Sequence, residues 1–255
     1  DPLVPGTYQR DRMVLAQLLY QDRVGDALQL SGRLFRGSER YHAPETYDGS
    51  RTALTVASDW AGLEARLVST AMTSHKLMLG LEYQHNLRQD QYFDDFVATP
   101  DLVDVAVLRN GWRLGIFVQD EWSITDRLSA TLGMRDDRNN TTSRAVSPRA
   151  GVIWKAGADT TLKTLYGRAH RAPNVYERDY TDGATLIANN DLRAEYIETL
   201  EAVAEHVVRQ GLVLRASAYH WVMTDLIGLA AESADGPPQY QNGDKVGARG
   251  LELSV

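Results

Sequence analysis

Long stretches in which apolar and polar side chains take turns confine this chain to β-structure more tightly than any other feature of it. Between Arg127 and Arg135, Leu128, Ala130, Leu132 and Met134 fall on one face, while Arg127, Ser129, Thr131, Gly133 and Arg135 fall on the other. Between His75 and Asn86, Leu77, Leu79, Leu81 and Tyr83 oppose Lys76, Met78, Gly80, Glu82 and Gln84. Residues 59–71 set Ala61, Leu63, Ala65 and Leu67 against Gly62, Glu64 and Arg66; residues 27–34 set Leu28, Leu30 and Leu34 against Gln29, Ser31 and Arg33. A helix gathers residues three and four apart, whereas a spacing of two places alternate residues on opposite faces of a strand.

The pattern predicts eleven strands, at about 8–20, 26–36, 59–71, 75–88, 111–124, 127–138, 147–156, 159–170, 196–209, 211–224 and 244–255. Several are twice the usual length of about five or six residues, and match the roughly 9–11 residues that cross a bilayer at a tilt near 45°. Trp112 and Trp122 share the face of Leu114, Ile116 and Val118. Their separation corresponds to about 33 Å of strand, or about 24 Å along a membrane normal, the spacing of two aromatic girdles. Asp120 lies on the same face and interrupts the pattern.

The connections alternate as well. Short ones fall at about 21–25, 72–74, 125–126, 157–158 and 210, and longer ones at about 37–58, 89–110, 139–146, 171–195 and 225–243. In a meander, successive connections lie at opposite ends of the sheet, so the short turns share one rim and the long loops the other. That asymmetry belongs to outer-membrane barrels, with periplasmic turns and extracellular loops. The competing reading of the alternation is a half-buried sheet in a soluble, carbohydrate-binding β domain.

Composition closes off other classes. A net charge of −7 argues against nucleic acid as a partner. No run of 18 apolar residues provides a membrane-spanning helix. The absence of cysteine excludes disulfides and thiolate metal sites. The histidines at 42, 75, 85, 170, 206 and 220 lack zinc-ligand spacing. No nucleophile elbow, Walker loop or dinucleotide fingerprint is present, and no cofactor is expected. Glu198, Glu201 and Glu205 could suggest a glycosidase acid pair, but they lie along one strand, with Glu198 on the opposite face from the other two, and read as lumen and rim residues.

Several motifs in one order then carry a resemblance. GIFVQDEWSITDRLSATLGMRDD, from Gly115, and SPRAGVIWKAGADTTLKTLYGRAHRAPN, from Ser147, resemble paired strands of TonB-dependent outer-membrane receptors. The second run ends in the family's box before a loop, with His170 where phenylalanine is usual. NNDLRAEYIETLEA, from Asn189, resembles a further box, with Asn190 and Ala194 at positions usually proline. ASAYHWVMTDLI and YQNGDKVGARGLELSV resemble two later strands; the match is dense from about residue 111 onward. The resemblance implies a barrel of about 22 strands, a plug domain and a TonB box. This chain is therefore expected to be a single barrel segment over 1–255, an internal fragment lacking plug and C-terminal strands.

The implied function is active import, not catalysis. A scarce nutrient such as a ferric siderophore would bind at the extracellular mouth, and TonB would act through the plug. The expected partners are outer-membrane lipid, TonB and a small-molecule or chelate ligand. Haem is disfavoured, because residues 173–189 hold no histidine between the two boxes. The alternative within the same fold is a passive porin or adhesin-type barrel.

Candidate ligand-binding residues come from the expected loops: Arg40, Tyr41, His42 and Tyr47; Tyr92 and Phe93; and Arg171, Tyr176, Arg178 and Tyr180. Aromatic faces and arginine forks together grip chelates and anions. For any one of them, loop packing is the competing role. Arg171 in particular is placed to fix the loop through Glu177 or Asp179, with Pro173 ending the strand before it. Asp94 and Asp95 are oxygen donors of the kind calcium takes, in an acidic run too interrupted to define a site.

Overall fold

A computed structural model describes residues 6–47, 50–95, 105–142, 144–182, 185–231 and 236–255. The strands are β1 (Arg10–Val24), β2 (Leu28–Tyr47), β3 (Ser50–Ser69), β4 (His75–Asp95), β5 (Val105–Thr125), β6 (Leu128–Asn139) and β7 (Ala145–Lys155). They continue with β8 (Thr160–Arg171), β9 (Glu195–Arg209), β10 (Leu212–Thr224), β11 (Ile227–Ala231), β12 (Pro238–Asn242) and β13 (Val246–Ser254). One five-residue helix, α1 (Val175–Asp179), lies between β8 and β9. Eleven strands form one antiparallel sheet in the order β1 through β10 and then β13. The remaining two, β11 and β12, form a separate hairpin inserted before β13.

The register explains the alternation. Leu81 faces Ile116, Leu79 faces Val118 and Leu67 faces Leu30, so the leucines share one apolar face. Leu79, Ile116, Val118, Leu132 and Met134 are exposed there. The other face is charged and internally paired. Arg33 bonds Glu64, Arg135 Nη2 donates to Glu82 Oε2 at 2.7 Å, and Lys76 Nζ donates to Glu121 Oε2 at 3.0 Å. Large rings on this face sit over glycine. A Cβ on Gly80 would stand 2.1 Å from the Phe117 ring, and one on Gly37 would stand 2.2 Å from Trp60. Asp120, the interruption on the apolar face, shares a 2.8 Å hydrogen bond with His75 Nδ1, and His75 stacks on Trp122.

Four of the five short turns lie where the alternation placed them, the first falls at 25–27 rather than 21–25 because β1 runs on to Val24, and two of the long loops are largely strand. Residues 37–58 were expected as a loop; instead β2 and β3 run for 20 residues each and pair from Leu28↔Ser69 to Tyr47↔Ser50. Likewise β4 runs to Asp95 and β5 begins at Val105, which corrects the loop expected over 89–110. The two-rim asymmetry survives, carried here by strands that outrun a bilayer. Their outer halves carry polar and small residues on both faces, so no period-two signal marks them. Pro44 fits within β2 because β1 pairs no further than His42, which leaves an edge position with no ladder bond to lose. The sheet remains open, with β1 and β13 as its outer strands.

Candidate functional site

The connection from β8 to β9 builds the site. Asn174 caps α1: its side chain accepts from the Glu177 amide at 2.8 Å, and Glu177 Oε2 accepts from the Asn174 amide at 2.9 Å. This reciprocal pair satisfies donors that a short helix cannot satisfy itself. Arg171, the last residue of β8, donates from Nε to Glu195 Oε1 at 2.6 Å and from Nη1 to Glu177 Oε2 at 2.9 Å. One guanidinium therefore joins the end of β8, the helix and the start of β9. The hydrogen bond from Arg171 holds the Glu195 carboxyl below its ordinary range. Glu195 Oε2 also accepts from the Ile227 amide at 3.1 Å, tying in the β11–β12 hairpin. That hairpin is bound again where Asn189 Nδ2 donates to the Tyr240 carbonyl at 2.8 Å.

The tethered loop then reaches past β6 and β7 to the charged face of β5 and β4. Arg109 on β5 pairs with Asp179 at 3.1 Å, and the Asp179 side chain is only 3% exposed. Four rings gather beside this contact. Phe93 meets Tyr180 edge-on at 4.5 Å, Tyr176 stacks on Tyr180 at 4.8 Å, and Tyr240 lies 6.2 Å from Tyr176. All four are half-buried. Burial, with help from Asp182 and Tyr176, pushes the Tyr180 phenol up to about 12. Burial likewise raises Tyr176. Both hydroxyls therefore remain protonated hydrogen-bond donors on a partly open aromatic surface.

Of the residues singled out from sequence, Phe93, Tyr176 and Tyr180 come together, and Arg171 and Arg178 support them. Arg178 Nε donates to the Asn190 carbonyl at 3.3 Å. The register puts Tyr41 on the same face as Phe93 but leaves Arg40, His42 and Tyr92 on the opposite one. There Arg40 Nη2 donates to both oxygens of Asp59, and His42 shares a 2.9 Å hydrogen bond with Thr55. The Tyr92 hydroxyl donates to Asp90. The side chains of Tyr47 and Asp95, and residues 96–104, lie outside the described residues. No group of three metal-binding side chains occurs among the described residues. Sequence reading passed over Tyr240 and Arg109. Tyr240 sits on a five-residue strand in a segment with no periodicity to flag it, and Arg109 fell within an expected loop.

A profile of the TonB dependent receptor-like beta-barrel family matches residues 5–255. The chain belongs to this family. An iron-regulated outer membrane virulence protein of Vibrio cholerae serotype O1 is 24% identical over 175 residues, covering 65% of this chain and 26% of that protein. The copper transporter OprC superposes with a TM-score of 0.77 at 16% identity, over 96% of this chain and 44% of its own. The siderophore receptor PirA from Acinetobacter baumannii gives 0.73 at 14% identity, over 96% and 42%. The chain thus spans about a quarter of the curated relative and under half of these two structures. The likeness in structure shows the fold. As a segment of a TonB-dependent receptor barrel, the sheet lies in the outer membrane of a Gram-negative bacterium, apolar face to lipid and charged face to the lumen. Its named relatives are receptors and transporters rather than enzymes.

Proposed function

We propose that this chain forms half the wall of a receptor that imports a scarce nutrient of the ferric-siderophore class. Further strands would complete the barrel at both open edges. A plug domain would fill the lumen and take up energy from TonB. The observation that carries the ligand reading is the half-buried aromatic surface of Phe93, Tyr176, Tyr180 and Tyr240 on the lumen face at the rim. Flat or chelated ligands bind such rings by stacking and by hydrogen bonds from the phenols. The nearby arginines support this surface rather than compete with it, since Arg109, Arg171 and Arg178 are engaged by loop groups.

The test is uptake of radio-iron presented as a panel of ferric siderophores to cells that depend on the full receptor. Phe93→Ala with Tyr180→Ala should weaken uptake of the cognate chelate tenfold or more, on the scale of about 0.5–1.5 kcal/mol per lost aromatic pair plus its contact area. Full uptake by that variant would remove the aromatic surface from consideration. Uptake that persists without TonB would favour the passive porin.

A further inference from the structure

The rings of the mouth stand in a field of one sign. Residues 171–195 carry five carboxylates to three arginines, and residues 225–245 carry four carboxylates to one lysine. These two segments supply Tyr176, Tyr180 and Tyr240. Carboxylates of the same assembly hold all three arginines: Glu177 and Glu195 hold Arg171, Asp179 holds Arg178, and Asp225 holds Arg193 at 2.6 Å. Arg109 on β5 is taken by Asp179. The next lumen arginine down β5, Arg113, lies deeper and bonds Gln84. The adjoining wall adds negative charge that nothing offsets. There β2 presents Glu39, Tyr41, Ala43 and Glu45 to the lumen, and Ala43 shares a rung with Leu54 and Phe93. Two strand spacings set Ala43 about 10 Å from Phe93. The side chains of Glu39 and Glu45 make no hydrogen bond or ion pair with any described residue. The field reaches the rings, since after burial the charge of Asp182 is the next cause of the lift in the Tyr180 phenol.

We propose that the aromatic surface selects positively charged metal chelates over anionic ones, an inference that rests on the siderophore reading above. A cleft lined by one sign of charge raises the local concentration of the other. Ring faces attract a cation directly, within about 6 Å of the centroid. An anionic chelate meets no available cation there. Each arginine beside the rings would first have to abandon a carboxylate and leave that charge unpaired. A positive chelate gains both attractions and breaks no ion pair. Three hydroxamates cancel the charge of ferric iron, so a ferric trishydroxamate with a pendant ammonium suits this surface. A ferric triscatecholate, which is strongly anionic, does not.

Radio-iron import by cells that rely on the full receptor tests this with one chelate in three charge states. Ferrioxamine B carries a free ammonium; acetylation of its amine makes it neutral and succinylation makes it anionic, with the iron site unchanged. The cationic form should enter roughly tenfold or more faster than the succinylated form, with the acetylated form between them. Glu39→Gln with Glu45→Gln breaks no ion pair and should shrink that ratio about threefold or more. Glu39→Asp with Glu45→Asp should keep it, as should Glu252→Gln, on the lumen face near the opposite rim. Import of the succinylated form as fast as the cationic one overturns the inference and leaves the siderophore reading intact. So does import of a ferric triscatecholate by a receptor that refuses ferrioxamine B. A ratio unmoved by the paired Gln variant, or moved equally by Glu252→Gln, overturns it as well. Import of no chelate, across hydroxamate, catecholate and carboxylate types, would instead defeat the siderophore reading and the inference together.

Discussion

Arg171 shows how one side chain sets the reach of a loop. Its fork bonds Glu177 and Glu195 at once, a geometry the single ammonium of lysine cannot reproduce. Arg171→Ala should speed limited proteolysis within 171–195 several-fold without ligand, and Arg171→Lys should restore protection only in part. Acid should mimic the loss. Glu195 titrates below its ordinary 4.5 in the folded loop, so its stabilisation is whole above that value and disappears as pH falls through the lowered one. Tyr180 sets the alkaline limit. Its phenol ionises at 10.0 in the opened loop but at about 12 when packed, so protection weakens from 10.0 upward. Proteolysis of this loop measured across pH should therefore show a protected plateau between those limits. Phe93, Tyr176 and Tyr180 could be named from sequence because aromatics in polar loops stand out. That Phe93 meets the other two could not, since the contact depends on a loop that leaves β8 and reaches β4 across three intervening strands.

Strands announce themselves in this sequence only where their two faces meet different solvents. Thus β6, lipid on one side and lumen on the other, is legible from end to end, and its expected span of 127–138 differs from the observed Leu128–Asn139 by one residue at each end. The outer half of β2 is not legible, because Ser38, Glu39, Arg40 and Tyr41 put polar groups on both faces. Neither α1 nor the β11–β12 hairpin is long enough for a period to show. The same two-solvent logic predicts mutational contrast along β6. Leu132→Arg places a charge in lipid and should cost about 2–4 kcal/mol of barrel stability, whereas the same change at the adjacent lumen position Thr131 should cost far less. Urea unfolding of the receptor from lipid vesicles measures both. Gly80→Val should also destabilise, since its side chain would enter the space of the Phe117 ring.

The whole sheet is oriented by its two unlike rims. Cysteines placed at Asp94 and Tyr180 of the full receptor should label with an impermeant thiol reagent on intact cells, and cysteines at Val24, Ser74 and Gly157 should not. The reverse pattern would invert the sheet. The pairing of β10 with β13 has a further consequence for this wall. Its ladder runs unbroken from Arg215↔Ser254 to Met223↔Val246, so the described residues between these strands, Tyr240 included, contribute no rung to the main sheet. Replacing residues 227–242 with a short Gly-Ser turn should leave the receptor's resistance to heat in detergent intact while removing one ring from the mouth. Selection can thus reshape this part of the loop rim by exchanging a cartridge, with no change to the seam between β10 and β13.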